Sequence, residues 1–99
     1  MTLTRQQAGA GLKNLPGWTL ADGGKAIRKE WLMKDFVAAV DLIERVKGIA
    51  EAADHHPDLH LTSFRKLAVE LSTHDQGGLT EKDLALAAQI EALPKSLKT

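Results

Sequence analysis

Cysteine is absent from the 99-residue chain, which excludes disulfides, thiolate nucleophiles and cysteine-based zinc sites. Long apolar runs are missing too, so no window approaches a membrane span. Residues 1–11 carry a single arginine and no apolar h-region, unlike a secretory signal. Aromatic residues are few: Trp18, Trp31, Phe36 and Phe64. All four are expected in the core rather than at a ligand, with Phe36 packed on a sheet. Neither sign of charge is in excess, since 13 Lys and Arg balance 13 Asp and Glu. A nucleic-acid-binding domain shows a basic surplus on one face, so neither a nucleic acid nor a membrane is expected as partner. Phosphate-cradling loops are lacking as well, because Gly77-Gly78 has neither the lysine nor the spacing of a P-loop. The expectation is a soluble, cytoplasmic, single domain over residues 1–99.

Punctuation by glycine, proline and capping residues divides the chain. Thr4 with Gln7 forms a capping box for a short helix over residues 4–14, ended by Pro16 and Gly17. A strand over 18–21 and another over 25–33 flank Asp22-Gly23-Gly24, a hairpin turn. Ile27, Trp31 and Met33 share one face of the second strand. Asp35 caps a long helix over 36–53, whose apolar stripe runs through Phe36, Val40, Ile43, Val46, Ala50 and Ala53. Pro57 forces His56 out of the helical region. A strand through Leu59 and Leu61 follows, then one over 65–73 in which Leu67, Val69 and Leu71 alternate with Lys66, Ala68 and Glu70. After the Gln76-Gly77-Gly78 turn, Thr80 starts a helix with Leu86, Ile90 and Leu93 on its apolar side, closed by Pro94. The order α-β-β-α-β-β-α predicts an α+β fold: a four-stranded antiparallel sheet with helices packed on one face. In so small a domain the uncovered edges call for a homo-oligomer.

Histidine carries the candidate chemistry. His55 and His56 sit at a helix-to-strand junction and His74 where the last strand enters a turn, positions where rigid elements aim side chains at a ligand. Imidazole both gives and takes protons near neutral pH. His60 is expected to be simply solvated. A metal site is the rival: His56 and His60 are four apart, but Pro57 prevents them from sharing a regular helix, and no known ligand spacing occurs. Asp83 shares the inward face of Leu86, Ala87 and Ile90, so it is either a partnered inward carboxylate or a helix-start acid favoured by the dipole. Glu51 precedes His55 by one helical turn, either orienting that imidazole or lying on the exposed helix surface. Ser63 and Ser72 form no Ser-His-Asp arrangement with these histidines.

Taken together, Glu51, His55-His56-Pro57, Phe64, His74 and Asp83 make one spaced pattern. It runs acid, three residues, His-His-Pro, six residues, aromatic, nine residues, histidine, eight residues, aspartate. This resembles the signature of the pterin-4a-carbinolamine dehydratase family, and the run Leu71-Ser72-Thr73-His74-Asp75-Gln76-Gly77-Gly78-Leu79-Thr80 resembles that family's strand, turn and helix start. The resemblance implies an α+β fold and a dehydratase acting on a 4a-hydroxytetrahydropterin, the adduct released by an aromatic amino-acid hydroxylase. The product would be the quinonoid dihydropterin, recycled by a reductase. It implies no metal and no bound cofactor. By the same resemblance His55, His56 and His74 are the catalytic and substrate-binding residues, with Glu51 and Asp83 in support. His55 and His74 are expected to transfer protons, His56 to position the ring, and Asp83 to anchor a loop. Leu59, followed by His60, stands where some animal members carry a tryptophan. The alternatives are a non-catalytic assembly or interaction protein on the same fold and a small metal-binding module.

Overall fold

The structure, a computed structural model, describes residues 2–99. Helix α1 (Arg5–Leu12) opens with the Thr4–Gln7 capping box, both reciprocal bonds being made. Strands β1 (Thr19–Ala21) and β2 (Ala26–Leu32) form a hairpin around the Asp22–Gly24 turn. Helix α2 (Phe36–Ala53) starts on Asp35, whose side chain accepts from the Ala38 amide. It leads to the hairpin of β3 (Asp58–Thr62) and β4 (Lys66–Leu71), and α3 (Glu81–Ala92) ends the order. The sheet is antiparallel throughout, ordered β1-β2-β4-β3, so β1 and β3 are edges.

One face of the sheet meets the helices. Ile27, Trp31 and Met33 of the β2 segment and Leu67, Val69 and Leu71 of β4 are buried there. They join Leu42 and Val46 of α2 and Leu86, Ala87 and Ile90 of α3 in a single core. The opposite face carries polar residues such as Glu30, His60 and Lys66.

Two expectations are corrected. The buried side of α2 is Ala38, Ala39, Leu42, Val46 and Ala50, not the stripe through Phe36, Val40, Ile43 and Ala53. Only Val46 and Ala50 belong to both. Val40 and Ile43 are half-buried flanks, whereas Ala53 is exposed and Phe36 is 54% exposed. Apolar residues surround most of this helix, so periodicity fits two adjacent stripes equally well. Ala38 and Ala39 belong to the core, while Phe36 points outward. Phe64 is likewise 58% exposed rather than core. It occupies the β3–β4 turn with Ser63, at φ 56° and 49°, and consecutive positive φ values are what a tight hairpin turn demands. Arg65 covers its ring at 5.5 Å. Lys29 alternates inward between Ile27 and Trp31 and is half-buried. Its ammonium pairs with Glu91 of α3 and donates to the Pro16 carbonyl at 2.8 Å. Glu91 also accepts from the Trp18 indole at 2.8 Å, and Trp18 meets Trp31 edge-on at 5.7 Å.

Lys95 finishes α3 by donating to the carbonyls of Ile90, Glu91 and Leu93 at 2.9, 3.0 and 2.8 Å. These bonds use all three protons of the ammonium. Burial holds its pKa below the usual lysine value, with Glu91 opposing.

The orientation of α2 is directly testable. Leu42→Ala should cost about 2–5 kcal/mol in urea unfolding, while Phe36→Ala should leave the isolated monomer within about 0.5 kcal/mol of wild type. Similar losses for both would contradict the buried face described here.

Candidate active site

The site forms where α2, β4 and α3 end or begin. Helix α2 stops in a Schellman motif: Asp54 adopts the left-handed conformation at φ 50°, its amide donates to Glu51 O at 3.2 Å, and the His55 amide reaches back to Ala50 O at 3.1 Å. This sharp stop, followed by Pro57, throws His55 and His56 off the helix in succession. Across from them β4 runs into a short 3-10 turn, His74–Gln76, closed by Gly77 at φ 76°. Only glycine takes that conformation without penalty, so the turn that presents His74 depends on it.

Asp83 joins these pieces. It is fully buried. As the third residue of α3 it completes a capping box, with Oδ2 accepting from the Thr80 amide at 2.9 Å. The same oxygen accepts from the Thr73 hydroxyl at 2.8 Å. Since the Thr73 proton is committed there, its 2.8 Å contact with Thr80 is made by the Thr80 hydroxyl donating. The second oxygen, Oδ1, faces His55 Nε2 at 2.6 Å. A carboxylate with this set of partners acts as acceptor, so Nε2 of His55 carries the proton. Nδ1 is left as the nitrogen that can accept another. His55 is itself almost enclosed, its side chain 11% exposed.

His56 stands differently. Its side chain is 58% exposed and Nε2 pairs with Glu51. The acid one turn before the histidines therefore reaches His56 rather than His55, because the Schellman stop redirects the chain between them. His74 is exposed, and its ring makes a long 3.5 Å contact to the Ser72 hydroxyl. His60 lies on the polar face of β3, paired in register with Ala68 and away from the cluster.

His55, His56 and His74 line one cavity of about 390 Å³, together with Asp54, Ser72, Thr73, Asp75 and Lys82. Sequence inspection did not single out Asp54, Thr73, Asp75 or Lys82. The one available signal was Thr73 directly before His74, a hydroxyl residue where strand becomes turn. The cavity offers neutral and charged nitrogen groups beside carboxylates, a composition suited to moving protons on a polar heterocycle.

A family model described as pterin 4 alpha carbinolamine dehydratase matches residues 1–93. The chain belongs to the pterin-4a-carbinolamine dehydratase family. Among its relatives is the mitochondrial pterin-4-alpha-carbinolamine dehydratase 2 of Arabidopsis thaliana, 41% identical over 93 residues, which cover 92% of this chain and 50% of the plant protein. The chain thus spans about half the length of that relative. A Saccharolobus islandicus protein named for the same dehydratase is 44% identical over 84 residues, covering 85% of this chain and 83% of its own. A crystal structure from Brucella melitensis, titled transcriptional coactivator/pterin dehydratase, superposes with a TM-score of 0.87 at 33% identity, covering 93% of this chain and 97% of that one. A pterin dehydratase-like protein described as a RuBisCO assembly factor of the alpha-carboxysome shares the fold, with a TM-score of 0.64 at 14% identity over 77% of this chain and 87% of that one. Family membership agrees with the spaced residues from Glu51 to Asp83 and with the α+β architecture.

Removing the Asp83 carboxylate would leave a helix start, a threonine hydroxyl and an imidazole without their acceptor. Asp83→Ala should therefore lose about 3 kcal/mol of stability. A denaturation midpoint equal to wild type would show that this carboxylate does not hold the site together.

Proposed function

We propose that the protein eliminates water from a 4a-hydroxytetrahydropterin to give the quinonoid dihydropterin. This would return the spent cofactor of an aromatic amino-acid hydroxylase to a form that a reductase can use. The observation that carries this reading is a pair of unlike imidazoles facing one cavity: His55 fixed and backed by a buried carboxylate, His74 exposed and loosely held.

The reaction removes the hydroxyl from C4a and the proton from N5, forming the C4a–N5 double bond. His55, with Nδ1 free, takes the N5 proton, and the adjacent Asp83 carboxylate stabilises the imidazolium that results. His74 in its protonated form delivers a proton to the departing hydroxyl, which leaves as water. Its exposure lets it reload from solvent, while His55 discharges between turnovers. His56, steadied by Glu51, positions the ring. Asp83 acts by anchoring His55 and the turn rather than by touching substrate. No metal or bound cofactor enters these steps.

The chain is further read as a homodimer or homotetramer. Among the described residues the outer edge of β3 has no partner strand, and Phe36 and Val37 at the start of α2 are 54% and 66% exposed. Light scattering on the purified protein should return a mass of two or four chains; a monomer at micromolar concentration would refute it.

A stopped-flow assay of freshly generated 4a-hydroxytetrahydropterin, with chelator present, tests the activity. The protein should accelerate dehydration well above the spontaneous rate, and His74→Ala should lower turnover by about 10²–10⁴-fold. The unfolding midpoint of that variant should stay at the wild-type value. Near-normal turnover by folded His74→Ala would remove the acid role. No acceleration by wild type would favour an assembly role on this fold.

A further inference from the structure

Among the described residues five large apolar side chains are exposed: Leu32, Phe36, Val37, Phe64 and Leu97. Phe36 and Val37 belong to the oligomer proposed above. The other three come from the end of β2, the β3–β4 turn and the C-terminal segment, and they meet at one end of the sheet. Leu32 is paired in register with Lys66 of β4. Its carbonyl accepts from the Lys98 amide at 3.0 Å, and the next residue, Met33, forms a bridge with Leu97. Arg65 holds the turn to this end. Its carbonyl accepts from the Met33 amide at 2.8 Å, while its guanidinium donates to the Lys34 carbonyl at 3.3 Å and lies 5.5 Å from the centre of the Phe64 ring.

Cations are interleaved with these apolar groups. Lys34, Lys66 and Lys98 are exposed and Arg65 is half-buried. The acids that adjoin the patch in sequence are Glu30 and Asp35. Glu30 pairs with Arg28 at 3.8 Å, and Asp35 is turned onto the Ala38 amide as the cap of α2. Asp41 and Arg45 of α2, which line a hollow with Lys34, offset each other. A chain with 13 positive and 13 negative groups thus gathers positive charge where its apolar side chains emerge. Overall neutrality, an argument against a membrane partner for the chain as a whole, does not hold locally.

Shape decides the occupant. Ser63 and Phe64 form the apex of a tight turn, both at positive φ, so the aromatic ring stands on a projecting edge. A helix or strand from a protein partner buries itself in a groove or along an open sheet edge. Lipid headgroups instead part around a protruding ring, and anionic ones collect lysine and arginine. A second copy of this end would bring like charges together. We propose that this end of the sheet is a peripheral docking surface for an anionic membrane. Phe64 and Leu32 enter the headgroup region, and Lys34, Arg65, Lys66 and Lys98 meet acidic lipids. Strand β4 starts at this surface with Lys66 and runs toward His74, so about 20 Å of strand keeps the histidine cavity clear of the bilayer. The docking surface is therefore independent of the reaction in that cavity.

Co-sedimentation with vesicles of phosphatidylcholine alone, and of phosphatidylcholine mixed with phosphatidylserine, tests this surface. The protein should bind the mixed vesicles and not the neutral ones, and added salt should release it. Lys66→Gln and Lys98→Gln should each weaken partition about fivefold. Phe64→Asn, a residue that accepts the positive φ at that position, should weaken it about tenfold. Lys13→Gln, at the end of α1, should change nothing. Equal binding to both kinds of vesicle, or a loss in Lys13→Gln as large as in Lys66→Gln, overturns the docking surface. Binding of poly-glutamate without binding of mixed vesicles overturns it in favour of an acidic protein partner.

Discussion

A fully buried carboxylate is tolerable only when its partners replace the water it has lost, and Asp83 is built around that requirement. The partners come from three separate places in the chain: the Thr80 amide at the start of α3, the Thr73 hydroxyl at the end of β4, and the His55 imidazole just beyond α2. Satisfying one charge thereby fixes the mutual position of three elements. The cavity exists because those elements end together, and His55 faces it with a defined nitrogen because the other is committed.

Helix α3 must be held at its far end for Asp83 to stay in register. That end is anchored by a different kind of chemistry. Glu91 receives the Lys29 ammonium and the Trp18 indole, while Lys95 turns back onto the last carbonyls of the helix. Lys29 is inward on the sheet and half-screened, so its pairing with Glu91 ties α3 to β2 more firmly than a fully solvated pair would. Cation and indole groups also share the space around Trp31, with Lys29 and Lys95 at 5.0 and 5.7 Å from its ring centre. The helix is thus clamped between a charge network at one end and a capping carboxylate at the other.

The elements were legible because glycine, proline and capping residues mark nearly every boundary. Thr4, Asp35 and Thr80 cap the helices expected from them, and the alternation in β2 and β4 gave the inward faces directly. The helix α2 face was not legible, since a helix apolar on most sides has no single stripe. Phe64 was misplaced for a related reason: turn geometry outranks hydrophobicity at a hairpin tip. Of the spaced residues from Glu51 to Asp83, His55, His56 and His74 share a cavity and Glu51 and Asp83 pair with His56 and His55, whereas Phe64 sits at the β3–β4 tip. Which acid meets which imidazole was hidden, because that depends on the left-handed Asp54, where one backbone angle exchanges the neighbours of two adjacent histidines. The residues that merely line the cavity, such as Asp54 and Lys82, have no pattern of their own.

The unequal anchoring of the two outer histidines has a consequence for what the protein can accommodate. His55 is locked by a 2.6 Å bond to a buried carboxylate, whereas the His74 ring meets the Ser72 hydroxyl at a long 3.5 Å. For a ligand in the proposed site, ordering would be concentrated on the His74 wall, and the entropic cost of binding with it. Tolerance to molecular variation is consequently one-sided. In the proposed site, a ligand altered toward His55 would meet a rigid template, while one altered toward His74 would meet a side chain that can re-orient. A change of ligand preference in the proposed site would be cheapest on the His74 side, where it requires no change to the buried framework.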